Sequence, residues 1–111
     1  MDTFVCATRL CFGQDALQAL DTLAAKRVLL VTDPFFVQNG TAQRVLSHLS
    51  GAETEIFDRV KGEPSLALVA EGVEVFRKAQ PDTVLALGGG SALDCAKGIV
   101  SMSGASVQLV A

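Results

Sequence analysis

The sequence predicts an α/β domain with a doubly wound, mostly parallel sheet. Apolar segments of about four to six residues alternate with amphipathic segments of about ten or more. Strands and helices that alternate in this way form parallel βαβ units, because each helix carries the chain back across the sheet. Three adjacent glycines follow one apolar segment, at the edge where such sheets bind ligands. The 111 residues are enough for one domain, residues 1–111, with a single core.

The N-terminal third of the chain predicts two strands separated by a helix. Residues 3–12 are rich in aromatic and β-branched side chains, which favours a strand. Asp15 can cap the helix that follows. The apolar face of that helix is formed by Leu17, Leu20 and Leu23. Arg27–Thr32 is a nearly continuous apolar run, typical of a strand covered on both faces. It ends at Asp33, because the residue before a proline is pushed away from helical backbone angles.

The middle of the chain predicts two helices separated by a short strand at residues 54–57. Thr41 is the expected N-cap of the first helix and Gly51 its stop. The second helix begins at Pro64-Ser65. The apolar residues expected to point inward are Val45, Leu46 and Leu49 in the first helix, and Leu66, Val69, Val73 and Phe76 in the second.

The last third predicts a strand at residues 83–87, the three glycines, a helix over 92–102 and a final strand at 106–110. Adjacent glycines are entropically costly unless the bare backbone is needed. Without Cβ atoms they let backbone N–H groups approach an oxyanion closely and permit positive φ angles. The helix that follows adds free N–H groups and a dipole that favours a phosphate. This segment therefore predicts a phosphate-binding loop.

The loop does not fit the standard nucleotide-binding motifs, and helix capping could explain some of the same residues. A G-x-G-x-x-G motif from Gly88 would need a glycine where Leu93 stands, and Lys97 lies too far into the helix for a Walker-type loop. Ser91-x-x-Asp94 also fits a capping box, in which the two side chains satisfy free backbone donors. Asp94 and Lys97, three residues apart, could form a surface ion pair. Capping, however, does not account for three glycines.

The composition argues against several classes of partner and site. The net charge of −3 comes without a basic stripe, so we expect neither nucleic acid nor an anionic membrane as a partner. No apolar run approaches a membrane span and Met1-Asp2 does not begin a signal peptide. The odd number and the spacing of the cysteines favour reduced thiols in a cytoplasmic protein. The three cysteines lack disulfide or zinc-ligand spacing, and His48 is the only histidine. We therefore expect no metal site within the chain.

Residues 88–97, GGGSALDCAK, resemble the signature of the iron-containing (group III) alcohol dehydrogenases. Glycerol dehydrogenase and dehydroquinate synthase belong to the same wider superfamily and carry related versions. The likeness spans nearly the whole chain, because FGQDAL at 12–17, VLLVTD at 28–33, EPS at 63–65 and PDTV at 81–84 are also similar to the family. The resemblance implies a Rossmann-like nucleotide-binding domain, which in the family is followed by a larger helical domain.

The resemblance also implies an NAD(H) site. In the family the signature glycines and serine hold the cofactor pyrophosphate, the aspartate faces the nicotinamide end of the cleft, and the lysine supports that edge. The residue that ends the first buried strand lies beside the adenosine ribose. The implied cofactor-binding residues are Asp33, Gly88, Gly89, Gly90, Ser91, Asp94 and Lys97.

A carboxylate at Asp33 favours NAD over NADP, because it accepts a hydrogen bond from a free 2′-hydroxyl and repels a 2′-phosphate. The alternative for Asp33 is a turn residue that only ends the strand. Glu63 stands where many relatives have asparagine, so it could contact the ribose or only begin a helix. Phe35 and Phe36 could flank the adenine or serve packing. These alternatives stay open at the level of sequence.

The resemblance places the catalytic metal, Fe²⁺ or Zn²⁺, on an aspartate and histidines of the second domain, so no catalytic or metal-ligating residue is expected here. The chain stops before the Thr- and Gly-rich loop that completes the cofactor site in relatives. We expect the NAD-binding half of a metal-dependent dehydrogenase of small alcohols and aldehydes, inactive alone and able to form a homodimer. The alternatives are a standalone nucleotide- or phosphate-binding module and a glycerol or polyol dehydrogenase.

Overall fold

The computed structural model describes residues 3–7, 26–49 and 51–103. Its strands are β1 (Thr3–Ala7), β2 (Arg27–Thr32), β3 (Glu53–Phe57) and β4 (Thr83–Gly88). Its helices are α1 (Pro34–Gln38), α2 (Thr41–Ser47), α3 (Leu66–Ala79) and α4 (Gly90–Ser103). The predicted helix after Asp15 and the predicted strand at residues 106–110 lie outside the described residues. None of the described helices is long and apolar enough to cross a membrane.

The four described strands form one sheet in the order β1-β4-β2-β3. β2 runs parallel to both of its neighbours, and its register with β4 pairs Val28 with Thr83 and Thr32 with Leu87. β1 is antiparallel to β4. The three parallel strands confirm the predicted α/β class with a mostly parallel sheet.

Helices cover both faces of the sheet, because β2 and β4 present alternate apolar side chains to each face. α3 and α4 pack on one face, over Leu29, Val31, Val84 and Ala86. α2 and the apolar side chains of α1 pack on the other face, over Val28, Leu30, Leu85 and Leu87. This two-sided burial explains why the sequences of β2 and β4 are continuously apolar and do not alternate between apolar and polar residues.

The chain leaves β2 and β4 in opposite directions at the carboxyl edge of the sheet. After β2 it turns to α1 and α2 on one face, and after β4 it turns to α4 on the other. The two neighbouring strands therefore diverge into different layers, which opens a crevice between their ends. Such a topological switch point is where doubly wound sheets bind ligands.

Most of the predicted elements agree with the structure, but several details differ. The sequence predicted no helix between Asp33 and Thr41, but a proline at the first helical position and an aspartate before it form α1. α2 has Gly40, not Thr41, in the N-cap position, because Thr41 is already its first helical residue. The same helix ends at Ser47 rather than at Gly51. Leu66 was expected to point inward and is 82% exposed, because it is the first residue of α3 and lies at the end of the helix.

Candidate functional site

The crevice at the switch point lies between the ends of β2 and β4. Thr32 and Leu87 are register partners in the two parallel strands, and Asp33 and Gly88 are the next residues along each strand. The structure therefore brings Asp33 and the glycine loop, which are 55 residues apart in sequence, to the same edge of the sheet. Both were predicted as site residues from the sequence.

The three glycines differ in what a side chain would meet. Gly88 has φ of +136°, a backbone conformation that favours glycine. A Cβ added there would lie 3.3 Å from the Phe36 ring and 3.5 Å from the Ala92 methyl group. At Gly89 and Gly90 the position of a Cβ meets no described atom within 4 Å. Gly88 thus forms a turn packed against the Phe36 ring, whereas Gly89 and Gly90 have bare backbone next to open space.

The glycine loop runs directly into the N-terminus of α4. The helix begins at Gly90, and the Leu93 N–H donates to the Gly89 carbonyl at 3.3 Å, so Gly89 stands in the N-cap position. Ser91 is half-buried and already inside the first turn. The capping box considered for Ser91 and Asp94 is not formed, because no hydrogen bond joins the two among the described residues. The first N–H groups of α4 therefore remain available to an anion.

Asp94 and Lys97 lie on the exposed side of α4. The buried positions of the helix are Ala92, Cys95, Ala96, Ile99 and Val100. Asp94 and Lys97 fall between these positions and are exposed, and no ion pair joins them in the described part of the chain. At about 1.5 Å per residue, Asp94 is about 6 Å along the helix from Gly90 and Lys97 about 10 Å. Asp94 is thus closer to the loop than Lys97.

Asp33 has a local structural role beside its predicted ligand role. It precedes α1 with an extended backbone, and one carboxylate oxygen, Oδ1, accepts a hydrogen bond from the Phe35 N–H at 2.8 Å. The side chain is therefore an N-cap, which extends the interpretation of Asp33 as a strand-ending residue. Its second oxygen has no hydrogen-bond partner among the described residues, so the cap leaves one acceptor at the crevice.

The other candidates have different surroundings. Phe36 packs in the core beside Leu85 and Leu87 and touches Gly88, so it is a packing residue under the loop. Phe35 is 60% exposed and contacts Phe36 edge to face, with the ring centroids 5.4 Å apart. Glu63 is exposed, two residues before Ser65, whose hydroxyl caps α3 through the Leu68 N–H. The helix start attributed to Glu63 is thus made by Ser65.

The described residues do not fit a metal ion. No group of three or more His, Cys, Asp or Glu side chains comes together within residues 3–7, 26–49 and 51–103. His48 is exposed at the C-terminus of α2. Cys95 is fully buried in the core, and this burial raises the pKa of its thiol to about 11. The thiol is therefore held protonated and away from solvent.

The sequence did not indicate a role for Thr32, which also lies at the carboxyl edge of the sheet. The buried hydroxyl of Thr32 donates a hydrogen bond of 2.9 Å to the Leu87 carbonyl, next to the first glycine of the loop. A threonine at the end of an apolar strand is common for β propensity alone, so the sequence offered no signal that distinguished this role.

The fold and the site together define a doubly wound α/β domain with a glycine-rich loop at its switch point. The chain belongs to the iron-containing alcohol dehydrogenases, because the model of that family matches residues 7–110. This confirms the family that residues 88–97 had indicated.

Curated relatives and solved structures agree with this family. The chain is 44% identical over 84 residues to the bifunctional aldehyde-alcohol dehydrogenase AdhE of Escherichia coli, covering 74% of this chain and 9% of the relative. It is 38% identical over 96 residues to the 1,3-propanediol dehydrogenase of Citrobacter freundii, covering 79% and 25%. The chain thus spans a quarter or less of the length of these relatives.

Two solved structures share the fold. The iron-containing alcohol dehydrogenase of Thermococcus thioreducens superposes with a TM-score of 0.74 at 25% identity, over 82% of this chain and 25% of that one. The sulfoacetaldehyde reductase of Bifidobacterium kashiwanohense, solved in complex with NAD⁺, gives a TM-score of 0.71 at 30% identity. That match covers 80% of this chain and 24% of the reductase.

Proposed function

We propose that this chain is the NAD(H)-binding part of a metal-dependent alcohol dehydrogenase that interconverts small alcohols and aldehydes. The observation that carries the proposal is the bare backbone of Gly89 and Gly90, which faces open space at the N-terminus of α4. It lies at the switch point of a doubly wound sheet, where such folds bind nucleotides. The NAD⁺ complex of the Bifidobacterium reductase supports NAD as the nucleotide.

In this proposal the pyrophosphate lies over Gly89, Gly90 and Ser91. The N–H groups at the start of α4 donate to its oxygens, and the dipole of the helix favours its negative charge. A side chain at either glycine would occupy the space that phosphate oxygens need. Gly88 turns the chain into the loop, and its positive φ fits that task.

The ends of the nucleotide are proposed to lie on opposite sides of this loop. The uncapped oxygen of Asp33 accepts a hydrogen bond from the 2′-hydroxyl of the adenosine ribose, and its charge disfavours the 2′-phosphate of NADP. Asp94 faces the nicotinamide side, and Lys97, further along α4, supports that side at longer range. NAD, when bound, supplies the acceptor or donor of the hydride.

The catalytic metal of the proposed enzyme, Fe²⁺ or Zn²⁺, would be bound by residues outside the described part of this chain, which lacks a suitable ligand group. We therefore expect the 111-residue chain to bind NAD and to show no turnover by itself. The names of the relatives favour short alcohols and diols as substrates of the whole protein.

Calorimetric titration of the 111-residue chain with NAD and with ADP-ribose tests the binding half of the proposal. Measurable but weak binding of both is the expected result, because other parts of the relatives would complete the site. A dissociation constant well below about 10 µM, which corresponds to a binding free energy of roughly −7 kcal/mol or stronger, would instead indicate a standalone nucleotide-binding module. If neither NAD nor ADP-ribose bound to the chain, the proposed site would be refuted.

The reaction is tested with a full-length protein that contains this chain, loaded with Fe²⁺ or with Zn²⁺. We expect it to oxidise NADH in the presence of at least one short aldehyde. If no short aldehyde were reduced, the assignment to small alcohols would fail. Glycerol and other polyols with NAD would then be the next substrates to assay.

A further inference from the structure

We propose that Thr32 is a positioning residue that holds the glycine loop in its nucleotide-binding conformation. The inference rests on the proposed nucleotide site, because it assigns to Thr32 a role in that site through Leu87 and Gly88. Thr32 does not reach the crevice itself, since its side chain is fully buried.

The Thr32 residue joins three segments at the carboxyl edge. Its hydroxyl group donates to the Leu87 carbonyl at 2.9 Å, which ties the end of β2 to the end of β4. Its own carbonyl accepts a hydrogen bond of 3.3 Å from the N–H of Val60, a buried residue after β3. The next residue along the chain is Asp33, the N-cap of α1. One buried threonine thus connects the Asp33 turn, the glycine loop and the segment after β3.

The hydrogen bond acts on the peptide unit that leads into the loop. The carbonyl of Leu87 and the N–H of Gly88 belong to the same planar peptide group. A donor that fixes the carbonyl oxygen therefore fixes the orientation of the whole group and the direction in which the chain enters Gly88. The backbone of Gly88 then turns with φ of +136°, which leads Gly89 and Gly90 to the start of α4.

A loop of three glycines needs restraints of this kind. Glycine loses more conformational freedom than any other residue when it is ordered, so a free loop would pay that entropy on binding the ligand. The structure supplies restraints on three sides. They are the Thr32 hydroxyl on Leu87, the Phe36 ring against Gly88, and the Leu93 N–H on the Gly89 carbonyl. Of these, only the first is made by a polar side chain.

The test compares Thr32→Val, which keeps the shape and removes the hydroxyl, with Thr32→Ser, which keeps the hydroxyl. Thr83→Val is the matched control, because Thr83 is also a buried threonine but its hydroxyl bonds Asp82 at the opposite edge of the sheet, at 2.9 Å. The affinity for NAD is measured by calorimetry on the 111-residue chain. The amide ¹H and ¹⁵N shifts of the three loop glycines are measured without ligand.

We expect Thr32→Val to weaken NAD binding about fivefold, the effect of losing one neutral hydrogen bond, and to shift the glycine amide resonances. Thr32→Ser and Thr83→Val should bind NAD within about twofold of the unmodified chain. Equal affinity and unchanged glycine shifts in Thr32→Val would overturn the inference. So would a loss in Thr32→Ser or Thr83→Val as large as that in Thr32→Val, which would point to packing or to general destabilisation.

Two further outcomes separate this inference from the proposed function. If the unmodified chain did not bind NAD, the proposed function would fail, while the glycine shifts would still decide whether Thr32 orders the loop. If Thr32→Val did not fold, the hydroxyl proton of Thr32 in the unmodified chain would decide. Slow exchange of that proton with solvent supports the hydrogen bond to Leu87, and fast exchange contradicts it.

Discussion

Gly72 of α3 lies directly against the side chain of Ile99 of α4. A Cβ on Gly72 would be 2.6 Å from Cγ1 of Ile99, and closer still to its Cδ1. Gly98, the residue before Ile99, faces Val69 in the same way, and a Cβ there would lie 3.3 Å from a methyl group of the valine. The two helices therefore approach each other through glycines, and this approach sets the position of α4, which carries the glycine loop.

Gly72→Ala should destabilise the fold, because the added methyl group has no space unless the buried Ile99 side chain rearranges. We expect a loss of roughly 1–3 kcal/mol in the free energy of unfolding, as for other overpacked cores. Urea unfolding followed by circular dichroism measures it. Gly51→Ala is the control, since a Cβ at Gly51 meets no described atom within 4 Å. Equal stability of the two variants would contradict the close packing.

Gly90→Val should abolish nucleotide binding while leaving the fold largely intact. The position of its Cβ is open space in the structure, so the valine strains nothing described, but it stands where phosphate oxygens are proposed to approach. Calorimetry with NAD measures the loss, and circular dichroism verifies the fold. Gly51→Val, remote from the loop, serves as the comparison. NAD affinity that survives in Gly90→Val would rule out the phosphate site.

Asp33→Asn separates the two roles of Asp33. Asparagine caps a helix about as well as aspartate, so the structure of α1 and the stability of the domain should be kept. The charge that repels a 2′-phosphate is lost, and the preference for NAD over NADP should fall, by roughly tenfold for about 1.4 kcal/mol of repulsion. Titrations with both nucleotides measure the ratio. An unchanged ratio, with α1 intact, would leave Asp33 as a cap alone.

Asp82→Ala should lower stability without weakening nucleotide binding. The Asp82 carboxylate accepts hydrogen bonds from the backbone N–H groups of Lys26 and Arg27, at 2.8 and 3.3 Å, and from the Thr83 hydroxyl. It joins the starts of β2 and β4, at the edge away from the crevice. We expect a loss of roughly 1–2 kcal/mol by urea unfolding. The exposed Glu55→Ala should change little, and an equal effect in both variants would contradict this role.

The raised pKa of Cys95 predicts a loss of stability in alkaline solution. Burial raises the pKa of this thiol from 9.0 to about 11. The folded state therefore holds a proton that the unfolded state releases between these values, and the stability that burial confers is complete below about pH 9 and declines towards pH 11. Unfolding free energies across this range, compared with Cys95→Ala, isolate the effect. Parallel pH profiles for the two proteins would refute it.

The same thiol should resist alkylation in the folded state. It is fully buried and protonated at pH 8, so modification requires unfolding. Mass spectrometry after a short pulse of N-ethylmaleimide should find the Cys95 peptide unmodified in buffer and modified in urea. Rapid labelling in buffer would show that α4 does not cover Cys95.

The sequence by itself determined the class of the fold, the family and the loop. Continuous apolar runs at β2 and β4 indicated strands covered on both faces, because side chains on both faces of such a strand must be buried by helices. Residues 88–97 identified the family, because the glycines, serine, aspartate and lysine of the motif lie close together in the sequence and can be recognised without knowledge of the fold. The positive φ that Gly88 adopts was likewise foreseeable from residue type.

The tertiary structure decided what depends on residues distant in sequence. It placed Thr32 beside Leu87 and Phe36 beneath Gly88, contacts that need two parallel strands in a particular register. It exposed Leu66 despite its helical spacing, because the end of a helix can project past the sheet, and it began α4 at Gly90, two residues before the predicted start at residue 92. Periodicity reports which face of an element is apolar, whereas only the packed fold determines which atoms meet across that face.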